Sequence, residues 1–170
     1  MAMRRIALIV LTMTGMLWAS LALAALPRSP EGDWLTGRGG AVVRIAPCAG
    51  GTGLCGHIVG IVLDHGDAMP MDWQGRSQCG FELIRPSVTR SGAEWHGRIV
   101  DPRNGSAYHA EFQVTRTGEL ALRGYLGLPV FGETQHWMRY EGTVPRSCRI
   151  DRAQTAGSEV RTNNTGRPGQ

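Results

Sequence analysis

The 170-residue chain contains no lysine, so all 18 of its basic residues are arginine. A guanidinium stays charged at any physiological pH, so Schiff-base chemistry, a lysine general base and a phosphate-loop lysine are excluded. A strong charge bias is missing too. The formal charge of +4 includes Arg4 and Arg5 at the extreme N-terminus, and what remains is too small for a nucleic-acid footprint. There is no Gly-x-Ser-x-Gly turn for a nucleophilic serine and no Cys-x-x-Cys pair for zinc or redox chemistry. The glycine-rich stretch 49–56 lies between cysteines and ahead of an apolar run, so it does not open a helix and cannot cradle a phosphate. Aromatic residues make up only 6% of the chain and hydrophobic residues 42%, which limits it to one modest domain with additions.

What is present begins with the leader. Residues 1–5 are positively charged, 6–21 are mostly apolar, and Ala22-Leu23-Ala24 forms a small-x-small pattern. These are the three regions of an export signal, here read as 1–24. An uncleaved anchor is the rival reading, because the run approaches the roughly 20 residues of a spanning helix. The small residues at its end and Pro27-Arg28-Ser29-Pro30 after it favour cleavage, which would leave no stable membrane anchor. A short linker, 25–30, then leads into the domain, 31–148, of a periplasmic or secreted protein.

All four cysteines lie after the leader, as an oxidising compartment would favour. Four cysteines allow three connectivities, and sequence alone does not choose among them. The flexible span 49–53 favours Cys48 with Cys55, which leaves Cys79 with Cys148.

Glycine, at 24 residues, falls at intervals between short apolar runs, which punctuates the chain into strands and tight turns. The clearest strand is 106–114, where Tyr108, Ala110, Phe112 and Val114 alternate with His109, Glu111 and Gln113. Thr117-Gly118 turns it into a partner where Leu120, Leu122 and Leu126 alternate with polar residues. Further strands are expected over 41–46, 54–63, 81–88, 93–100 and 134–140. The fold class is therefore all-β: a small, antiparallel, closed barrel of about eight strands, stapled by disulfides. Residues 149–170 carry only Ile150 and Val160 as large aliphatics and no aromatic, so this segment is expected to be a disordered tail.

Several motifs in order suggest a relative. They are Gly32-Asp33-Trp34-Leu35-Thr36, Val43-Arg44-Ile45 with Pro47-Cys48, Leu54-Cys55-Gly56, and Asp101-Pro102-Arg103-Asn104-Gly105 ahead of Tyr108. The last is Gly132-x-Thr134-Gln135-x-Trp137-x-Arg139. The chain resembles the exported bacterial proteins known as domain of unknown function 2147 over about 31–140. The resemblance implies a lipocalin-like barrel in the periplasm or medium, with no established enzymatic activity. It also implies barrel closure by Gly32 and Trp34 on the first strand against Trp137 and Arg139 on the last, the guanidinium lying over the indole. Two features depart from the family pattern. The stretch 64–76 is shorter than the family's loop, and Cys79 and Cys148 are additions to the shared Cys48 and Cys55.

Histidine is the residue type from which a metal or acid-base site would have to be built. A hairpin turn over 101–104 would set His96 beside His109 on the polar face, and two imidazoles without a third ligand make a weak metal site. His57, His65 and His136 add nothing to it. Asp64, His65, Asp67 and Asp72 cluster in one loop but lack the twelve-residue calcium pattern. The sequence therefore assigns no catalytic residue, metal or cofactor.

Two function classes remain. One is a carrier that holds a small apolar or amphipathic ligand inside the barrel against Trp95, Tyr108, Phe112 and Leu122. The other is a protein-binding module, such as an inhibitor of an envelope or secreted hydrolase. It would act through the 64–78 loop, where Met69, Pro70, Met71 and Trp73 are apolar residues in a wet segment.

Overall fold

The computed structural model describes residues 28–91 and 93–153. The expected signal 1–24, most of the linker and the chain beyond 153 lie outside the described residues. Eight strands follow one another as a meander. They are β1 (Gly32–Leu35), β2 (Ala41–Pro47), β3 (Leu54–Leu63), β4 (Glu82–Ser91), β5 (Glu94–Val100), β6 (Ala107–Val114), β7 (Leu120–Tyr125) and β8 (Glu133–Arg139). Each pairs antiparallel with the next, and β1 also pairs with β8, so the sheet closes on itself. The all-β, eight-stranded closed barrel expected from the turn spacing is what the chain forms.

Alternation along the strands decides which side chains go inside. In β6, Ala110 and Phe112 are buried while His109 and Gln113 are exposed and Glu111 is half-buried, as the period-2 pattern requires. Trp34, Val43, Ile45, Ile84, Phe112, Leu120, Leu122 and Trp137 fill the barrel as one cluster. Glycine helps it to fill. A Cβ at Gly56 would stand 2.9 Å from Ile84, and one at Gly97 would fall on the Ser87 hydroxyl. These two bare positions let neighbouring side chains occupy the space that a larger residue would take.

β3 reads as a near-continuous apolar run because both of its faces are covered. Val42, Val62 and Ile150 form a second buried cluster, packed by Leu35, Val59, Tyr140 and Val144. Ile150 belongs to a ninth strand, β9 (Arg149–Asp151), which runs parallel to the end of β3. Residues 149–151, expected to belong to a disordered tail, are therefore a strand of the sheet. The fully buried Ile150, the Ile61 N–H donating to the Cys148 carbonyl at 2.6 Å, and the Arg149 side chain donating to the Asp64 and Asp67 carbonyls all tie these three residues to the sheet.

Both disulfides form as expected, Cys48 with Cys55 and Cys79 with Cys148. The second ties the β3–β4 loop to the start of β9. Leu126 corrects the expected alternation. It lies beyond the end of β7 and is exposed.

Candidate functional site

The meander sorts the loops by end. The β1–β2, β3–β4, β5–β6 and β7–β8 loops share one end of the barrel, and the N-terminal segment and the remaining turns share the other. At that second end Arg28 donates to the Arg116 carbonyl at 2.9 Å, so the segment ahead of β1 reaches the β6–β7 turn. The closure pair lies here. Trp34 and Arg139 are partners in the β1–β8 ladder, and the guanidinium carbon stands 4.2 Å from the indole centroid. Arg139 also donates to the Glu31 carbonyl at 3.1 Å, and the Trp34 ring N–H donates to the Pro30 carbonyl at 2.7 Å. Gly32 has φ of +123°, and a Cβ there would meet the guanidinium at 2.5 Å. Trp137, on β8, is buried in the same core.

The loop end carries a concavity. In the β3–β4 loop the Asp72 carboxylate, only 6% exposed, organises a tight turn. One oxygen accepts from the Gln74 and Arg76 N–H groups, each at 2.9 Å, and the other from the Arg76 side chain at 2.9 Å. Burial pushes this carboxyl up, but the bonds from Arg76 and Gln74 outweigh it and hold it below the usual carboxylate range. Trp73 leaves this turn sideways. Its N–H donates to the Pro102 carbonyl at 2.9 Å, its ring packs over Gly105, and it meets Phe81 edge-on at 5.6 Å. Phe81 and Met69 reach down to the barrel core. The β5–β6 loop on which Trp73 rests has its own anchor. The Arg103 side chain and N–H bind the Asp101 carboxylate, and its pKa is lowered chiefly by that side-chain bond.

Between this turn and the start of β4 lies an open cleft of about 500 Å³, with Trp73 and Phe81 on its walls. Two ion pairs stand at its edge, Arg76 with Asp72 and Arg85 with Glu82, each at 2.9 Å. An aromatic surface beside both signs of charge suits a molecule that has an apolar body and a polar group.

The expected lining of a ligand cavity is Trp95, Tyr108, Phe112 and Leu122. Phe112 and Leu122 are 1% and 3% exposed and belong to the packed core, with Trp95 stacked on Phe112 at 6.4 Å and Tyr108 half-buried opposite Ile99. Sequence reasoning found Trp73 but missed Phe81, Glu82 and Arg85, because it treated 81–88 only as a strand. The signal was available in the position of Phe81, at the joint between an apolar loop and that strand.

The histidine pair needs a correction. His96 faces Glu111 and His109 faces Arg98 in the ladder, because the β5–β6 connection spans residues 101–106 and shifts the register by two. His96 lies 3.2 Å from Glu94 and 3.6 Å from Glu111, while His109 stacks on Tyr125 at 5.3 Å. The acidic loop residues are engaged by arginine. Asp64 pairs with Arg152 at 2.9 Å, and Arg149 binds the carbonyls of Asp64 and Asp67. Among the described residues no group of three or more His, Cys, Asp or Glu is placed to hold a metal.

This fold resembles a solved structure titled "Protein HP1028 from the human pathogen Helicobacter pylori belongs to the lipocalin family". It matches with a TM-score of 0.54 and 15% identity, covering 66% of this chain and 84% of that one. A search of the curated proteins found no match. The family model described as "Uncharacterized protein conserved in bacteria (DUF2147)" matches residues 32–139, which run from the closing Gly32 to the closing Arg139. The first and last of the motifs that suggested the relative are the ones that close the barrel, and the chain belongs to the DUF2147 family of bacterial proteins.

Proposed function

We propose that this chain is an exported, non-enzymatic barrel that binds a small amphipathic molecule in the cleft between the 72–77 turn and the start of β4. The observation that carries this reading is the cleft itself. Its volume of about 500 Å³ is within the range of small-molecule sites, about 300–1,000 Å³. Ligand binding within the barrel axis, on Trp95, Tyr108, Phe112 and Leu122, would require Phe112 and Leu122 to leave a packed core, at a cost of several kcal/mol. The cleft asks for no such opening. Export is supported by the two disulfides and by the leader pattern of residues 1–24.

Mass spectrometry of the native protein recovered from the envelope of an expressing bacterium tests the reading. A bound small molecule should be present, and Trp73→Ala should remove it while Val88→Ser, on an outer strand face, should not. A ligand lost with Phe112→Ala but retained with Trp73→Ala would move the site back into the barrel axis. The second reading is a protein-binding module acting through residues 64–78, favoured by the 58% and 41% exposure of Met71 and Trp73. It predicts no bound small molecule and an envelope protein whose co-purification is lost with Met71→Ser.

A further inference from the structure

Among the described residues, the largest concentration of exposed apolar side chains is the β7–β8 turn. Leu126, Leu128, Val130 and Phe131 are 63–79% exposed, and the short 3-10 turn Pro129–Phe131 buries none of its residues. Isolated exposed leucines are ordinary, but four within six positions form a patch that calls for a partner. The turn is not part of the 72–85 cleft, and its role does not depend on ligand binding there.

Three features identify the partner's chemistry. First, the stretch from Gly124 to Gly132 contains no charged residue, so nothing in it resists transfer out of water. Second, the 3-10 turn closes two of its own backbone bonds. The Phe131 N–H donates to the Leu128 carbonyl at 3.1 Å and the Gly132 N–H to the Pro129 carbonyl at 2.9 Å. Pro129 has no N–H to lose, and its carbonyl also accepts from the Arg123 side chain at 2.8 Å. Each bond kept inside the turn lowers the cost of bringing Val130 and Phe131 out of water. Third, the adjoining β1–β2 loop, residues 36–40, carries Arg38 as its one charge. Its side chain is 83% exposed and 3.9 Å from Glu133, the residue after the turn. So loose an exposed pair can readily be exchanged for a phosphate.

We propose that the β7–β8 turn docks the barrel on an anionic lipid surface. Leu128, Val130 and Phe131 enter the boundary between headgroups and acyl chains, and Arg38 meets a headgroup phosphate. Insertion of a few apolar side chains with one guanidinium gives weak, reversible association of the kind typical of interfacial segments. The same end of the barrel carries the 72–85 cleft, so docking would bring that cleft near the bilayer.

Flotation with vesicles tests this, using the full-length gene product exported in a bacterial host, so that every variant shares the same N-terminal processing. Vesicles of equimolar phosphatidylethanolamine and phosphatidylglycerol should carry the wild-type protein. Leu128→Ser with Phe131→Ser should lower the bound fraction roughly tenfold or more, and Val88→Ser with Met138→Ser, exposed elsewhere, should leave it unchanged. Arg38→Gln should weaken binding about fivefold on these vesicles and little on phosphatidylcholine alone. As a reading independent of bound fraction, Phe131→Trp should add emission that shifts to the blue with vesicles and is quenched by brominated lipid. Wild-type protein that does not float, or that floats equally well with both serines in place, overturns the proposal. So does a self-association, seen without lipid, that Phe131→Ser abolishes, because the patch would then be an interface between copies.

Discussion

Arg139 lies over Trp34 at 4.2 Å while also facing it across the β1–β8 ladder, so one residue pair both closes the sheet and covers the core at that end. The guanidinium lies on the indole face, donates to the Glu31 and Ser29 carbonyls, and fills the space left open by Gly32. Because these come from the two ends of the meander, they form only when the barrel closes, and their loss should be felt by the whole fold.

Arg139→Ala is therefore expected to lower stability by about 1–2 kcal/mol, from the lost cation–π contact and carbonyl bond. Arg139→Lys should recover only part of this, since an ammonium cannot lie flat on the ring. Gly32→Ala should cost about 1 kcal/mol or more, because its φ of +123° disfavours any side chain. Urea unfolding followed by tryptophan fluorescence measures all three. An unchanged midpoint for Arg139→Ala would mean that the ladder closes the barrel without help from the guanidinium.

The barrel was legible in the sequence because its information is local. Period-2 alternation in β6 and glycine at the turns each act within a few residues, and the two halves of the closure, Gly32-x-Trp34 and Trp137-x-Arg139, are each short motifs. What could not be read depends on contacts between distant segments. Ile150 looked like a lone aliphatic in a polar tail, and it is buried only because Val42 and Val62 offer it an outer cluster. The His96 register failed because two extra residues in the β5–β6 loop shift the ladder without changing which face each side chain takes. The cleft joins a loop to a strand, and Trp73 becomes one of its walls only through the Pro102 carbonyl and Gly105 of another loop. No spacing within residues 64–85 reveals that.

Ser87 and Gly97 give a second test, of how the barrel fills itself. Ser87 is fully buried, its hydroxyl donating to the Arg85 carbonyl at 2.9 Å, and it occupies the space that a Gly97 side chain would take. Gly97→Ala should destabilise by about 2 kcal/mol through overpacking. Adding Ser87→Gly should recover much of this, with a coupling of about 1 kcal/mol or more in the double-mutant cycle. Ser87→Ala should recover less, because its Cβ still lies 2.8 Å from the new methyl. Strict additivity would show that the two positions do not share one space.

Removing the Cys79–Cys148 bridge with alanine at both positions opens a constraint spanning 69 residues. Chain entropy sets its contribution at about 4 kcal/mol. The local effect is more specific. The Ile61 N–H donates to the Cys148 carbonyl, so its hydrogen exchange should accelerate more than that of the Trp34 backbone amide in β1. Equal acceleration at both would mean that β9 is held by Ile150 packing and that the bridge acts only on the unfolded chain.

The last prediction concerns acid. Asp72 and Asp101 each anchor a loop beside Trp73, and both titrate below the ordinary carboxylate value in the folded protein. For Asp101 the bond from the Arg103 side chain is the main cause, and for Asp72 the bonds from Arg76 and Gln74 overcome burial. A carboxyl whose pKa is depressed by folding stabilises the native state fully above its unfolded pKa of about 4. That contribution falls away as the pH drops through the lower folded value. Thermal stability should therefore hold level from pH 7 to about 5 and decline below about 4. Trp73 should become more exposed in the same range as its two anchors protonate, visible as a red shift in its emission against a Trp73→Phe reference. Asp72→Asn removes one titrating group, so its curve should start lower at pH 7 and fall less steeply below 4. If wild type and Asp72→Asn instead lose stability in parallel down to pH 2, the Asp72 carboxylate does not govern the turn, and the cleft wall owes its shape to the packing of Trp73 on Gly105 and Phe81.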